Sequence, residues 1–190
     1  SYACIGNSIT DGHGIDMATA YGYPALLQKK LGDKYWVKNF GVSGRTMLNK
    51  GNQPYMNELA WKDAQAFKPD VVIIKLGTND SKGINWKYGD EFRQDLEQMI
   101  TTLLPNKPQI WLCTPICAEK DSWDINDSII ANYIIPIQYE VAKKYNLKLI
   151  DLHSLFEGGE ELMLTDGIHP NGKGAARLAD IIYNHITEQK

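Results

Sequence analysis

The chain has 190 residues, 43% of them hydrophobic and 23% charged, with a formal charge of -3; this length suits one domain around one core and would be cramped for two. So small and mixed a charge argues against nucleic acid or an anionic membrane surface as partner, and no apolar run approaches the roughly 20 residues needed to cross a bilayer. No basic, apolar leader precedes Ser1, yet the chain lacks a starting Met and opens almost directly on a strand; a secreted or periplasmic location is expected if an upstream segment was removed, a cytoplasmic one otherwise.

Short apolar runs alternate with amphipathic stretches along the whole chain, the pattern of an α/β protein whose parallel sheet is covered by helices on both faces. A strand is expected over residues 2–6, then a helix over 24–31, a strand over 35–40 and a helix over about 57–67. The run VVIIKL makes residues 71–76 the clearest strand. A helix over 90–104, a strand over 109–113 and a helix over 127–145 follow, the last kinked or split by Pro136. A strand over 148–151 and a helix over 172–187 complete the series. In that last helix Ala175, Leu178, Ala179, Ile182 and Ile186 recur at helical spacing, so this face should lie on the sheet.

Cys4, Cys113 and Cys117 lack CxxC spacing, and the first two fall inside expected strands. Buried free thiols are the main expectation, with a Cys113–Cys117 bridge as the alternative. The irregular stretches over about 45–56, 80–89 and 115–126 all follow strands, and ligands of an open parallel sheet bind at the carboxyl ends of its strands. These loops should wall the site.

Four segments carry chemistry. Ser8 follows the first strand in Gly6-Asn7-Ser8-Ile9-Thr10, where its hydroxyl would stand at the sheet edge; the alternative is an ordinary serine N-cap. Thr10 replaces the second glycine of a GxSxG elbow, which disfavours the α/β-hydrolase fold. In Asn39-Phe40-Gly41-Val42-Ser43-Gly44-Arg45-Thr46, two glycines leave amide groups unobstructed, as an oxyanion site or a plain strand exit requires. Asn79, in Gly77-Thr78-Asn79-Asp80, offers a neutral amide donor or an Asx turn. Asp166 and His169 are three apart before Pro170, so one turn can bring the carboxylate to one imidazole nitrogen while the other faces outward. His13, His153 and His185 are expected in structural roles. A metal site is not expected, since no HExxH or paired His and Cys cluster occurs, and no glycine-rich phosphate loop is present.

In this order the four segments resemble the GDSL/SGNH hydrolase family, matching its four blocks with Ser8, Gly44, Asn79 and His169. The resemblance spans essentially all of residues 1–190, read as one domain. It implies a flavodoxin-like three-layer α/β/α fold on a five-stranded parallel sheet. It also implies a triad of Ser8, His169 and Asp166, an oxyanion hole from the Ser8 and Gly44 amides with the Asn79 side chain, and no cofactor. Asn7 stands where the family's GDS pattern has Asp, so any role of that carboxylate does not carry over.

The family includes esterases, lipases, thioesterases, lysophospholipases and carbohydrate acetylesterases. The expected loops hold Asn49, Lys50, Asn52, Gln53, Tyr55, Lys82, Asn85, Trp86, Tyr88, Lys120 and Trp123. Polar groups interleaved with aromatics suit a sugar better than a long acyl chain, and Tyr55, Trp86 and Trp123 are the expected stacking residues; solvated loops with structural aromatics are the alternative. The chain also resembles single-domain acetylesterases acting on sialate or polysaccharide esters. The favoured reading is therefore a serine esterase that removes O-acetyl groups from carbohydrates, its partner a small-molecule or oligosaccharide ester. A lysophospholipase or thioesterase is the second reading, and an inactive carbohydrate-binding module the third.

Overall fold

The structure, a computed structural model, describes residues 1–188. It runs through β1 (Tyr2–Gly6), α1 (Ser8–Asp11), α2 (Ala18–Tyr21), α3 (Tyr23–Leu31), β2 (Val37–Gly41), α4 (Leu59–Ala66), β3 (Val71–Lys75), α5 (Gly83–Trp86) and α6 (Phe92–Leu103). Then come β4 (Gln109–Cys113), α7 (Asp127–Ile129), α8 (Ile135–Lys144), β5 (Lys148–Ile150), α9 (Leu152–Leu155) and α10 (Gly172–Glu188). The strands pair in the order β2-β1-β3-β4-β5, all parallel. This is the flavodoxin-like order, in which the chain reverses direction across the sheet between β1 and β3 and opens a crevice at their carboxyl ends.

Alternation along the strands sorts the core into two faces. Ala3, Ile5, Val72, Ile74, Ile110 and Leu112 pack with Trp61 of α4, Leu96 and Met99 of α6 and Val141 of α8. Cys4, Ile73, Trp111 and Cys113 point the other way, against Leu27 of α3 and Leu178, Ala179 and Ile182 of α10. The five α10 residues expected to face the sheet are all buried. Each Leu or Ile among them contributes about 1.5–3 kcal/mol by leaving water, which holds the C-terminal segment, and the loop before it, against the sheet.

Element ends differ from the sequence expectation for local reasons. The expected strand over 35–40 becomes Val37–Gly41 because the Gln28 side chain satisfies the Tyr35 carbonyl at 2.9 Å and the Val37 N–H at 2.7 Å, ahead of the ladder. β3 stops at Lys75 rather than 76, and the Leu76 carbonyl accepts from Gln138 Nε2 at 3.2 Å. β5 stops at Ile150 because Asp151 caps α9 through the Ser154 N–H. The helix expected over 57–67 begins at Leu59 after a 3₁₀ turn over Tyr55–Asn57, since Glu58 is extended. Before Pro136 the helical stretch is divided: α7 gives way to a π-helical segment over Ile130–Ile134, and Pro136 sits at the start of α8, where its missing N–H costs least.

All three cysteines are free, so the alternative of a Cys113–Cys117 bridge is not realised. Cys4 and Cys113 are buried, and burial pushes the Cys113 thiol up to about 12.

Candidate active site

β1 ends at Gly6, where a side chain would collide with Thr10 and come within 2.9 Å of the Lys75 carbonyl, so glycine is needed for the neighbouring chains to meet here. Asn7 then caps α1, its Oδ1 accepting the Ile9 N–H at 3.1 Å. Here the residue in the place of the family Asp has a capping role that needs only an oxygen acceptor. Ser8 is therefore the first residue of a one-turn helix at the carboxyl edge of the sheet, buried except for a small exposed fraction.

Ser8 Oγ lies 2.9 Å from His169 Nε2, and His169 Nδ1 lies 2.6 Å from Asp166 Oδ2. The second Asp166 oxygen accepts the N–H groups of Ile168 at 2.8 Å and His169 at 3.0 Å, so the carboxylate is fixed at both oxygens. Burial pushes the Asp166 carboxyl up, but these bonds from the His169 backbone and ring and from Ile168 outweigh it and hold the group at about 2. Burial pushes the His169 imidazole below its ordinary value; Asp166 opposes this, while charge on His13 and Lys75 adds to it. The result is a neutral imidazole, oriented by a carboxylate and in contact with a hydroxyl, able to take its proton.

Gly44 lines the same cavity and has φ +79°, a conformation that favours glycine. Asn79 also lines it; one of its amide hydrogens is donated to the Arg45 carbonyl at 3.1 Å, leaving the other for a ligand. The two loops are tied together by the buried Asp80 carboxylate, which accepts the N–H groups of Met47 at 3.0 Å and Leu48 at 2.8 Å. Burial nevertheless pushes Asp80 up to about 6. Asn85 fixes the Asn79 backbone, donating to its carbonyl at 2.8 Å.

The cavity, about 180 Å³, is lined by Ser8, His13, Ser43, Gly44, Asn79, Lys82, Trp123, Ile125 and His169. A larger hollow of about 340 Å³ lies beside α2 and β2, but no serine or histidine is among its lining residues, so chemistry rather than size singles out the smaller one. Trp123 stands at the rim, 63% exposed, with Nε1 3.5 Å from Asp166 Oδ2. Its loop is held against the Asp166–His169 turn by Ser122 Oγ on the Asp166 carbonyl at 2.6 Å and Lys120 Nζ on the Thr165 carbonyl at 2.7 Å.

Two of the three expected stacking residues are elsewhere. Tyr55 is fully buried and donates its hydroxyl to the Phe40 carbonyl at 2.6 Å, because the loop over 45–56 folds inward through the Thr46–Pro54 bridge. Trp86 packs on Phe92 and Tyr133 beside a separate hollow. Much of the polar loop composition serves the loops themselves: Asn49 holds Asp95, and Asn52 and Asn85 hold each other.

His13 was expected to be structural but lies at the site, its ring centroid 4.4 Å from that of His169. The α1 turn brings it there, its N–H bonded to the Ser8 carbonyl at 2.9 Å; its place five residues after Ser8, just beyond one turn of helix, was the available signal. Lys75 was also missed. Its side chain is buried at the end of β3, where burial pulls its ammonium down to about 8, and Nζ has no hydrogen-bond partner among the described residues. Nor did the spacing of His and Cys reveal that Cys117, Asp127 and His153 meet in space. That meeting brings together residues from three separate segments, none of them in the HExxH or paired His and Cys spacing on which the sequence expectation rested.

A model of the GDSL-like lipase/acylhydrolase family matches residues 4–177. An acetylxylan esterase of Xylanibacter ruminicola is 63% identical over 199 aligned residues, covering 95% of this chain, whereas the chain spans only 42% of that protein. A carbohydrate acetylesterase from Sinorhizobium meliloti shares the fold with a TM-score of 0.82 at 18% identity, over 100% of this chain and 99% of that one. A lipase/acylhydrolase from Enterococcus faecalis superposes with a TM-score of 0.79 at 26% identity, over 99% and 96% of the two chains.

Proposed function

The chain belongs to the GDSL-like lipase/acylhydrolase family, and from that premise we propose that it hydrolyses short-chain acyl esters, above all the O-acetyl groups of carbohydrates. The observation that carries the reaction is the unbroken contact from Ser8 Oγ through His169 to Asp166, at 2.9 and 2.6 Å. Ser8 Oγ attacks the ester carbonyl carbon as His169 Nε2 takes its proton, and Asp166 steadies the imidazolium. The carbonyl oxygen, now negative, is received by the Ser8 and Gly44 amides and the free hydrogen of the Asn79 side chain. His169 then passes the proton to the departing sugar oxygen, leaving acetyl-Ser8. Water, activated by the same imidazole, attacks this ester and releases acetate.

The substrate class is supported by the 63% identity to an acetylxylan esterase and by the small cavity, whose floor holds Ser8 and whose rim carries Trp123 and Lys82. The cavity of about 180 Å³ accommodates an acetyl group, and the exposed Trp123 indole offers a face on which a sugar ring can stack. The test is a series of p-nitrophenyl esters of rising acyl length under non-micellar conditions. kcat/KM should be highest for acetate and fall by butyrate or hexanoate; in an apolar tunnel each methylene would instead gain about 0.8 kcal/mol. Preference for octanoyl or longer esters would replace this reading with a lysophospholipase or thioesterase.

A further inference from the structure

The loop over residues 115–126, which carries Trp123 to the rim of the cavity, has a chemically distinctive pair of roots. Cys117 lies near its start and Asp127 immediately follows its end, and both meet His153 of α9. The ligand atoms of the three, Cys117 Sγ, an Asp127 carboxylate oxygen and a His153 ring nitrogen, lie within 4.8 Å of one another. His153 Nε2 is 3.1 Å from each Asp127 oxygen.

Backbone hydrogen bonds anchor the segments that carry His153 and Asp127. The His153 N–H donates to Thr114 Oγ1 at 3.0 Å, and Thr114 Oγ1 in turn donates to Asp151 Oδ1 at 3.0 Å. Asp127 Oδ1 accepts the Ala118 N–H at 2.8 Å, and the contacts of both Asp127 oxygens with His153 Nε2 are the ones an ion between them would replace. The His153 and Asp127 side chains are 22% and 29% exposed, so an ion can reach them from solvent.

We propose that Cys117, Asp127 and His153 bind a divalent cation of the zinc class and that the ion pins both roots of the Trp123 loop to α9. Tetrahedral zinc bonds of 2.0–2.3 Å place neighbouring ligand atoms roughly 3.3–3.8 Å apart. The present spacing reaches that with small side-chain movements. Thiolate, imidazole and carboxylate together select zinc, or cobalt in its place, over magnesium and calcium, which take oxygen shells. As the Sγ–metal bond forms, the Cys117 thiol proton leaves to solvent, and no oxidant or reductant is required. The fourth position is left to water.

The inference does not depend on the esterase reading, and its test is spectroscopic. Cobalt(II) titrated into the whole metal-free protein should bind at about one ion per chain. It should give the near-ultraviolet thiolate-to-cobalt band and tetrahedral visible bands, both removed by zinc. Cys117→Ser should lose the thiolate band, and Asp127→Asn, which keeps an acceptor for the Ala118 N–H, should bind at least about 10-fold more weakly. Should Cys117→Ser fail to fold, Asp127→Asn carries the test alone. Zinc should raise the melting temperature of the unaltered protein and of Ser8→Ala equally, since Ser8 is outside this group. Absence of the thiolate band, its survival in Cys117→Ser, or binding that Asp127→Asn leaves unchanged would overturn the proposal and leave these residues as a hydrogen-bonded cluster.

Discussion

The His13 ring lies 4.4 Å from the His169 ring, tilted by 43°, so a positive charge on His13 disfavours one on His169. With burial, this neighbour keeps His169 below its ordinary value. His169 must be neutral to accept the Ser8 proton, so kcat/KM should rise as pH climbs through its pKa, and that acid limb should lie below about 6.5. Replacing His13 with Gln removes the opposing charge, raises the His169 pKa and should move the limb to higher pH. An unchanged pH–rate profile in a folded His13→Gln protein would show that the two rings do not interact in solution.

Ser8→Ala should lower kcat by on the order of 10⁴–10⁶, with the circular dichroism spectrum unaltered. A fluorophosphonate should label the unaltered protein at Ser8 and leave the variant unlabelled, as read by mass spectrometry of peptides. Labelling at another hydroxyl would reassign the nucleophile.

If Asn79 stabilises the oxyanion as proposed, Asn79→Ala should reduce kcat by roughly 10²–10³ with a smaller change in KM. The same side chain also holds the Arg45 carbonyl. A rise in KM alone would mean that the loop contact, rather than the free hydrogen, is what matters.

Asp80 gives the site its shape without entering it. Asp80→Ala strands the buried Met47 and Leu48 N–H groups and should cost about 2–4 kcal/mol of stability at acid pH, measured by urea unfolding. The sign with pH follows from its raised value of about 6. The folded protein holds this proton more tightly than the unfolded chain does, so the Asp80 contribution is full below about 3.8 and is lost as pH rises through about 6. The variant should therefore show a weaker loss of stability over that interval than the unaltered protein.

The strands and helices were legible because their signals are local, as in the apolar run VVIIKL between turn residues and the α10 stripe that repeats at 3.6 residues, whereas the flavodoxin-like arrangement of the sheet came only through the family resemblance. Asp166 and His169 were legible for the same reason, being three residues apart on one turn. Ser8, by contrast, could be linked to them only through the resemblance of the four segments taken together, since 161 residues separate it from His169. Tyr55 and Trp86 were misplaced because composition identifies a loop without saying which of its side chains turn inward. Tyr55 follows a bridge that folds it under the loop, and Trp86 finds partners in Phe92 and Tyr133. His13 and the Cys117, Asp127 and His153 group depend on contacts among elements far apart in the chain, which no periodicity reports.

Of the three expected stacking residues, Trp123 alone lines the cavity. Trp123→Ala should raise KM for an acetylated oligosaccharide about 2- to 10-fold, the loss of one aromatic contact, and affect p-nitrophenyl acetate less. Trp86→Ala, away from the cavity, should leave both values near those of the unaltered protein.

The most direct measurement is acetate release from acetylated xylo-oligosaccharides, followed alongside an octanoyl ester at matched concentration, with Ser8→Ala as the paired control. Acetate should be released rapidly by the unaltered protein and not by Ser8→Ala, with little cleavage of the octanoyl ester. Faster octanoyl cleavage, or acetate release that survives in a folded Ser8→Ala protein, would contradict it.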